Sequence, residues 1–127
     1  MENFGSGLFE LAQRRLGWLE QRQTLLARNI ANLDTPGYRP VDSQSFTARL
    51  DASSRARSLV TTSPQHLSGT GMSGTVTTRP KEVAPDGNAV SLEEQLGHVA
   101  ETQNAQALTS NLYMRYTAMM RTALGRS

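Results

Sequence analysis

The chain has 127 residues, 37% of them hydrophobic and 6% aromatic, with a mean hydropathy of −0.47; this bounds it to one small domain with a thin core, whose apolar surface needs cover from neighbours. The net charge is +2, from 13 basic and 11 acidic residues, and the arginines are scattered rather than massed, which reads as a solvated surface and not a nucleic-acid patch. There is no cysteine, which excludes disulfides, thiolate catalysis and cysteine-based zinc sites.

The first predicted element is a helix from about Gly7 to Leu33. Phe9, Ala12, Leu16, Leu19, Gln23, Leu26, Ile30 and Leu33 recur in alternating steps of three and four, the seam of a coiled coil with one polar interruption at Gln23. Leu8, Leu11, Trp18 and Leu25 form a second stripe beside it. Two stripes on a rod roughly 40 Å long fit a helix with two neighbours. The rod stops at Thr35-Pro36-Gly37-Tyr38. The residue before a proline is pushed out of the helical region, and Pro36-Gly37 fits the centre of a type II turn, with glycine taking the positive φ. Residues 1–39 therefore read as a helix and a rigid elbow. Asn29 and Asn32 share a helix face just before it. Either Asn32 helps close the last turn before Asp34, or one of the two fixes register with a neighbouring helix as a buried polar group.

Residues 40–90 form a polar insert rich in Ser, Thr, Gly and Pro, without helical periodicity. Ser58 to Thr62 and Gly74 to Thr78 are short β-prone runs, so a loop and a short β-hairpin both fit. Residues 91–127 return to helix, from about Ser91 to Leu124. Ser91 with Glu94 makes a capping box. Leu92, Leu96 and Val99 open the apolar face, and Leu108, Leu112, Tyr116, Met119 and Ala123 resume it, with Tyr113 and Met120 alongside. The expected fold class is mainly α: two long terminal amphipathic helices packed as a coiled-coil-like bundle, together one axial domain, with the polar segment projecting between them.

The sequence offers little to chemistry. His66 and His98 are the only histidines, on different segments, and a metal site needs three or four converging ligands. Asp86-Gly87-Asn88 starts like a calcium loop but lacks the acidic ligands that follow, and reads as a turn. No G-x-S-x-G elbow and no phosphate-binding glycine loop is present. No catalytic, cofactor or metal residue is expected. No segment reaches the roughly 18 apolar residues of a membrane span, and the first residues lack the basic start and continuous apolar run of a secretory signal peptide. Unaided, that reading places the chain in the cytosol.

The run Asn29-Ile30-Ala31-Asn32-Leu33-Asp34-Thr35-Pro36-Gly37-Tyr38 resembles the N-terminal signature of bacterial flagellar rod and hook proteins. Thr62-Ser63-Pro64-Gln65-His66-Leu67 and Pro85 to Glu93 are similar to elements of the short proximal rod members of that family. So is the ending, from Tyr113-Met114-Arg115-Tyr116 to Arg126. The resemblance implies a structural subunit of the basal body, polymerising through its terminal helices into the periplasm-crossing drive shaft. It implies export through the flagellar type III apparatus without a cleaved signal peptide, which replaces the cytosolic default. The implied partners are copies of itself, the proximal rod protein FlgC, the distal rod proteins, the rod-base adaptor FliE, the MS ring and the export apparatus. Nucleic acid and membrane insertion are not among them. On this reading Phe9, Leu16, Leu19, Leu26, Asn29, Ile30 and Asn32 of the first helix and Leu112, Tyr116 and Met119 of the last form the assembly interface. Thr35, Pro36, Gly37 and Tyr38 are the elbow. Two other readings stay open: an exported helical binding protein that never polymerises, and a lytic enzyme, which would need a carboxylate-lined cleft.

Overall fold

A computed structural model of the chain describes residues 2–58, 75–77 and 90–125. Its elements run α1 (Glu2–Ala31), β1 (Val41–Ser43), α2 (Phe46–Ser58), β2 (Thr75–Thr77) and α3 (Leu92–Ala123). The chain is mainly helical, with the two long terminal helices that the periodicity predicts. At 1.5 Å per residue α1 and α3 are each roughly 45–48 Å long. They lie antiparallel. Phe9 of α1 meets Tyr113 and Tyr116 near the end of α3, ring centroids 5.1 and 5.0 Å apart and edge to face. Midway, Arg22 faces Glu101 at 3.7 Å. At the other end Asn29 bonds Gln95 at 2.9 Å.

The seam between them is narrow and half polar. Leu19 and Leu26 are the buried hydrophobic residues among those described. Phe9, Ala12, Leu16, Gln23, Ile30 and Leu33, the rest of the predicted stripe, are half-buried. On α3 the buried positions are Gln95, Thr102 and Thr109, spaced by sevens. Each threonine returns its hydroxyl to the carbonyl four residues back, Thr102 to His98 at 2.7 Å and Thr109 to Ala105 at 2.8 Å. That leaves the threonine methyl free to pack. The apolar stripe of α3 is exposed at Leu92, Leu96, Leu108, Leu112 and Met119. Tyr113, Tyr116 and Met120 are half-buried.

Both ends of the helical segments are set by local chemistry. Ser91 caps α3 in an extended conformation, and its Oγ accepts from the Glu94 N–H. The helix ends on Gly125, whose φ of 68° closes the final turn by donation from its N–H to Thr122 O at 3.1 Å. After α1 the elbow forms a turn in which the Tyr38 N–H donates to Thr35 O at 3.2 Å and Gly37 takes φ 74°, the type II geometry. Substituting Gly37 with valine forces a β-branched residue into the left-handed region, a strain of roughly 1–3 kcal/mol. Gly37→Val is expected to lower the denaturation midpoint of the folded chain, and an unchanged midpoint would show that the turn carries no strain.

Two features of the middle differ from the expectation of loop or hairpin. A 13-residue helix, α2, occupies Phe46–Ser58. It lacks a continuous apolar face, which is why periodicity missed it. It starts because the Ser45 hydroxyl accepts from the Ala48 N–H at 3.3 Å, as an N-cap does, and because Phe46 docks on Trp18 with ring centroids 6.0 Å apart. The second β-prone run does supply a strand, β2, and it pairs antiparallel with β1, Val41 opposite Thr77. The partner strand Val41–Ser43 has no β signature of its own. Residues 59–62 of the first β-prone run, His66, and the Asp86-Gly87-Asn88 turn lie outside the described residues.

Candidate functional site

Two sites stand out, a clasp at the elbow and a groove between the terminal helices. The clasp is centred on Asn29, 1% exposed. Its side-chain amide matches a peptide group, and it uses every bonding position. Nδ2 donates to Val41 O at 2.8 Å and to Gln95 Oε1 at 2.9 Å. Oδ1 accepts from the Val41 N–H at 3.0 Å and from the Tyr38 hydroxyl at 3.1 Å. One side chain therefore joins α1, the elbow, β1 and α3. Asn32 does the other job foreseen for the pair. Its Nδ2 donates to Arg28 O at 2.8 Å, and its Oδ1 accepts from Thr35 Oγ1 at 3.2 Å, closing the last turn of α1.

One heptad before Asn29, Arg22 makes a two-pronged ion pair with Asp42, both contacts 3.0 Å. Burial alone would lower the Arg22 pKa, but the bonds and charges of Asp42 and Glu101 outweigh it and push the value up. Arg22 thus stays cationic at any accessible pH. A further four residues back, Trp18 Nε1 donates to Gln44 O at 2.8 Å, and the Arg22 guanidinium lies 5.7 Å from the Trp18 ring. Positions 29, 22 and 18 of α1 thus tie down positions 38 to 46 in order, so that the chain after the elbow runs back along α1 as a strap. Sequence reasoning missed Arg22, Asp42, Gln95 and Phe46 in this role. The seven-residue spacing of Arg22 to Asn29 and of Gln95 to Thr102 was the available signal.

The groove lies between the N-terminal half of α1 and the C-terminal half of α3. It measures 560 Å³ and is lined by Leu8 and Leu11 on one side and Leu108, Leu112 and Met119 on the other, over a floor of Phe9, Tyr113 and Tyr116. Phe46 of α2, Arg15 and Arg115 also line it, and among the described residues no carboxylate does. Leu108, Leu112 and Met119 are 60%, 58% and 61% exposed, far more than a lone chain of this size needs to leave in water.

The residues proposed from sequence thus fall into groups. Leu19, Leu26 and Asn29 are covered by their own chain. Leu16, Ile30, Asn32 and Tyr38 are half-buried, and Thr35, Pro36 and Gly37 are exposed. Phe9, Leu112, Tyr116 and Met119 converge on the groove. Among the described residues no three His, Asp or Glu side chains gather as a metal ion would require. His98 sits between Glu94 and Glu101, 3.8 and 3.6 Å away on the same helix. No described helix is long and apolar enough to cross a membrane.

The described residues form a helical hairpin in which Asn29 and Arg22 hold the strap and part of the exposed apolar surface lines an open groove, the architecture of an assembly element. No family model matches the chain. Over 119 residues it is 33% identical to a flagellar basal body rod protein FlgB of Agrobacterium fabrum, covering 89% of each chain. Over 95 residues it is 30% identical to the FlgB of Buchnera aphidicola, covering 69% of this chain and 71% of the relative. The chain belongs to the FlgB family of flagellar basal body rod proteins.

Proposed function

We propose that the chain is a structural subunit of the proximal rod, and that it joins its neighbours through the open groove between its terminal helices. The observation that carries this reading is the cluster of exposed leucine and methionine side chains in that groove. Burying such a side chain is worth on the order of 1.5–3 kcal/mol, and the chain supplies no cover for it among the described residues. The interface then consists of Phe9, Leu112, Tyr116 and Met119, extended by Leu8, Leu11 and Leu108. Leu19, Leu26 and Asn29 act within one copy, setting the angle at which the groove is presented. Residues 1–39 and 91–127 form the axial unit, and residues 40–90 are the insert between its two halves. The partners are further copies, FlgC, the distal rod proteins, FliE and the MS ring.

Two fully buried leucines among the described residues make a thin core, which favours a chain that is passed unfolded through the type III apparatus and gains order as its groove is filled. A dilute solution of the purified protein is expected to show helical circular dichroism with a low, broad melt that rises and sharpens with concentration or with added rod components. A sharp, concentration-independent melt would reject the coupling of order to assembly. A strain lacking the chain is expected to be non-motile, with basal bodies that end before the rod; normal rods in that strain would overturn the function itself.

A further inference from the structure

The two halves of α3 carry complementary surfaces. Toward the C-terminal half lies the groove, with Leu108 and Leu112 in one wall, Arg15 and Arg115 in its lining and no carboxylate among the described residues. Arg115 makes no ion pair with another described residue. In the first turns of the same helix Leu92 and Leu96 are 46% and 51% exposed, with Glu93 and Glu94 next to them. Glu94 faces His98, whereas Glu93 makes no ion pair with another described residue. An apolar pair edged by a free carboxylate thus stands at one end of the helix, and an apolar groove edged by a free guanidinium at the other. Leu96 and Leu112 are separated by about 160° around the helix and about 24 Å along it. A single copy therefore cannot bring its own leucine pair into its own groove.

We propose that copies of this chain dock head to tail, the Leu92–Leu96 turn of one copy seated in the groove of the next, with Glu93 facing Arg115. The proposal rests on the polymerising function given above and names the surface that fills the groove. The contact is heterologous: each copy offers one groove and one leucine pair, so a row always ends with one of each open and continues to grow. The charges set its direction. Glu93 against Arg115 is attractive, whereas groove against groove would place Arg115 against Arg115.

The absence of native cysteine allows a direct test on the full chain. Leu96→Cys and Leu112→Cys each replace an exposed side chain, so neither disturbs the helical seam. The two variants are concentrated, alone and as an equal mixture, treated with a mild oxidant and run on a non-reducing gel. The mixture is expected to yield a disulfide-linked dimer roughly ten-fold more than either variant alone, and Arg115→Glu introduced into the Leu112→Cys chain is expected to reduce that yield by a similar factor. Adding Glu93→Arg to the Leu96→Cys chain is expected to restore it. A dominant Leu112→Cys self-dimer would mean two-fold groove-to-groove pairing and would overturn the head-to-tail contact. So would equal yields in all three samples, or indifference to both charge reversals. These results leave the rod function standing, because that is decided separately by the basal bodies of the strain lacking the chain.

Discussion

Asn29→Leu is expected to free the strap from α1 while both terminal helices persist. Leucine is close to asparagine in bulk but offers no hydrogen bonds. The substitution leaves the Val41 N–H and C=O, the Tyr38 hydroxyl and the Gln95 amide without their partner at a position 1% exposed. Each orphaned buried group costs about 1–3 kcal/mol. With partial rescue by water the total comes to about 3–5 kcal/mol, more than so thin a core can lose and keep the elbow docked. Trp18, the sole tryptophan, reports the event, because its indole N–H is bonded to Gln44 in the strap. Its emission is expected to shift to the red as the strap leaves. The matched control is Asn32→Ala, three residues on in the same signature. Asn32 bonds only to the turn it closes, so a loss of about 1 kcal/mol or less is expected there. Equal effects at the two asparagines would show that the clasp is not centred on Asn29.

Leu112→Glu is expected to abolish motility without unfolding the chain. Leu112 is 58% exposed, so a carboxylate there is solvated in the free protein and helical circular dichroism is retained. Once the groove is covered, the same carboxylate would be buried in an apolar lining, with Arg15 and Arg115 the cations that line it. Burying a charge without full hydrogen bonding costs several kcal/mol, which at about 1.4 kcal/mol per ten-fold amounts to a loss of at least 100-fold in affinity. Purified basal bodies are expected to lack the variant. Asn104→Glu places the same charge on an exposed position of the same helix outside the groove, and motility is expected to survive it. Loss of motility in both would point to charge on α3 in general and not to this groove.

The clasp and the groove are linked through the geometry of α1. Asn29, Arg22 and Trp18 hold the strap on one side of the helix, and the strap ends at Phe46, which lines the groove. Releasing the strap is therefore expected to disturb the groove's lining. The Arg15 guanidinium, 5.6 Å from the Phe46 ring, links the same two features.

Several elements were legible in the residues themselves because they depend on local chemistry. The step of three and four gave α1 and α3, Ser91 gave the cap of α3, and Thr35-Pro36-Gly37-Tyr38 gave the turn. Each follows from backbone preference within a few residues, with no distant partner required. Helix α2 was not legible, because Phe46 is its main anchor and the partner of Phe46 is 28 residues earlier in the chain. Strand β1 was not legible either, since its bonds come from the side chain of Asn29 and from β2 rather than from any β preference in Val41-Asp42-Ser43.

By itself the sequence determined that two long helices flank a polar insert, and where the first of them must bend. Only the tertiary structure decided which face of α3 turns inward. The leucines at 92, 96, 108 and 112 mark an apolar stripe; Asn29 needs Gln95, Arg22 faces Glu101, and Phe9 packs on Tyr113 and Tyr116. Those pairings rotate α3 so that Thr102 and Thr109 meet α1 and the leucines face out. Hydrophobic periodicity shows that a stripe exists; it carries no information on whether the stripe is covered by its own chain or left for another molecule, because that depends on contacts between residues far apart in the sequence.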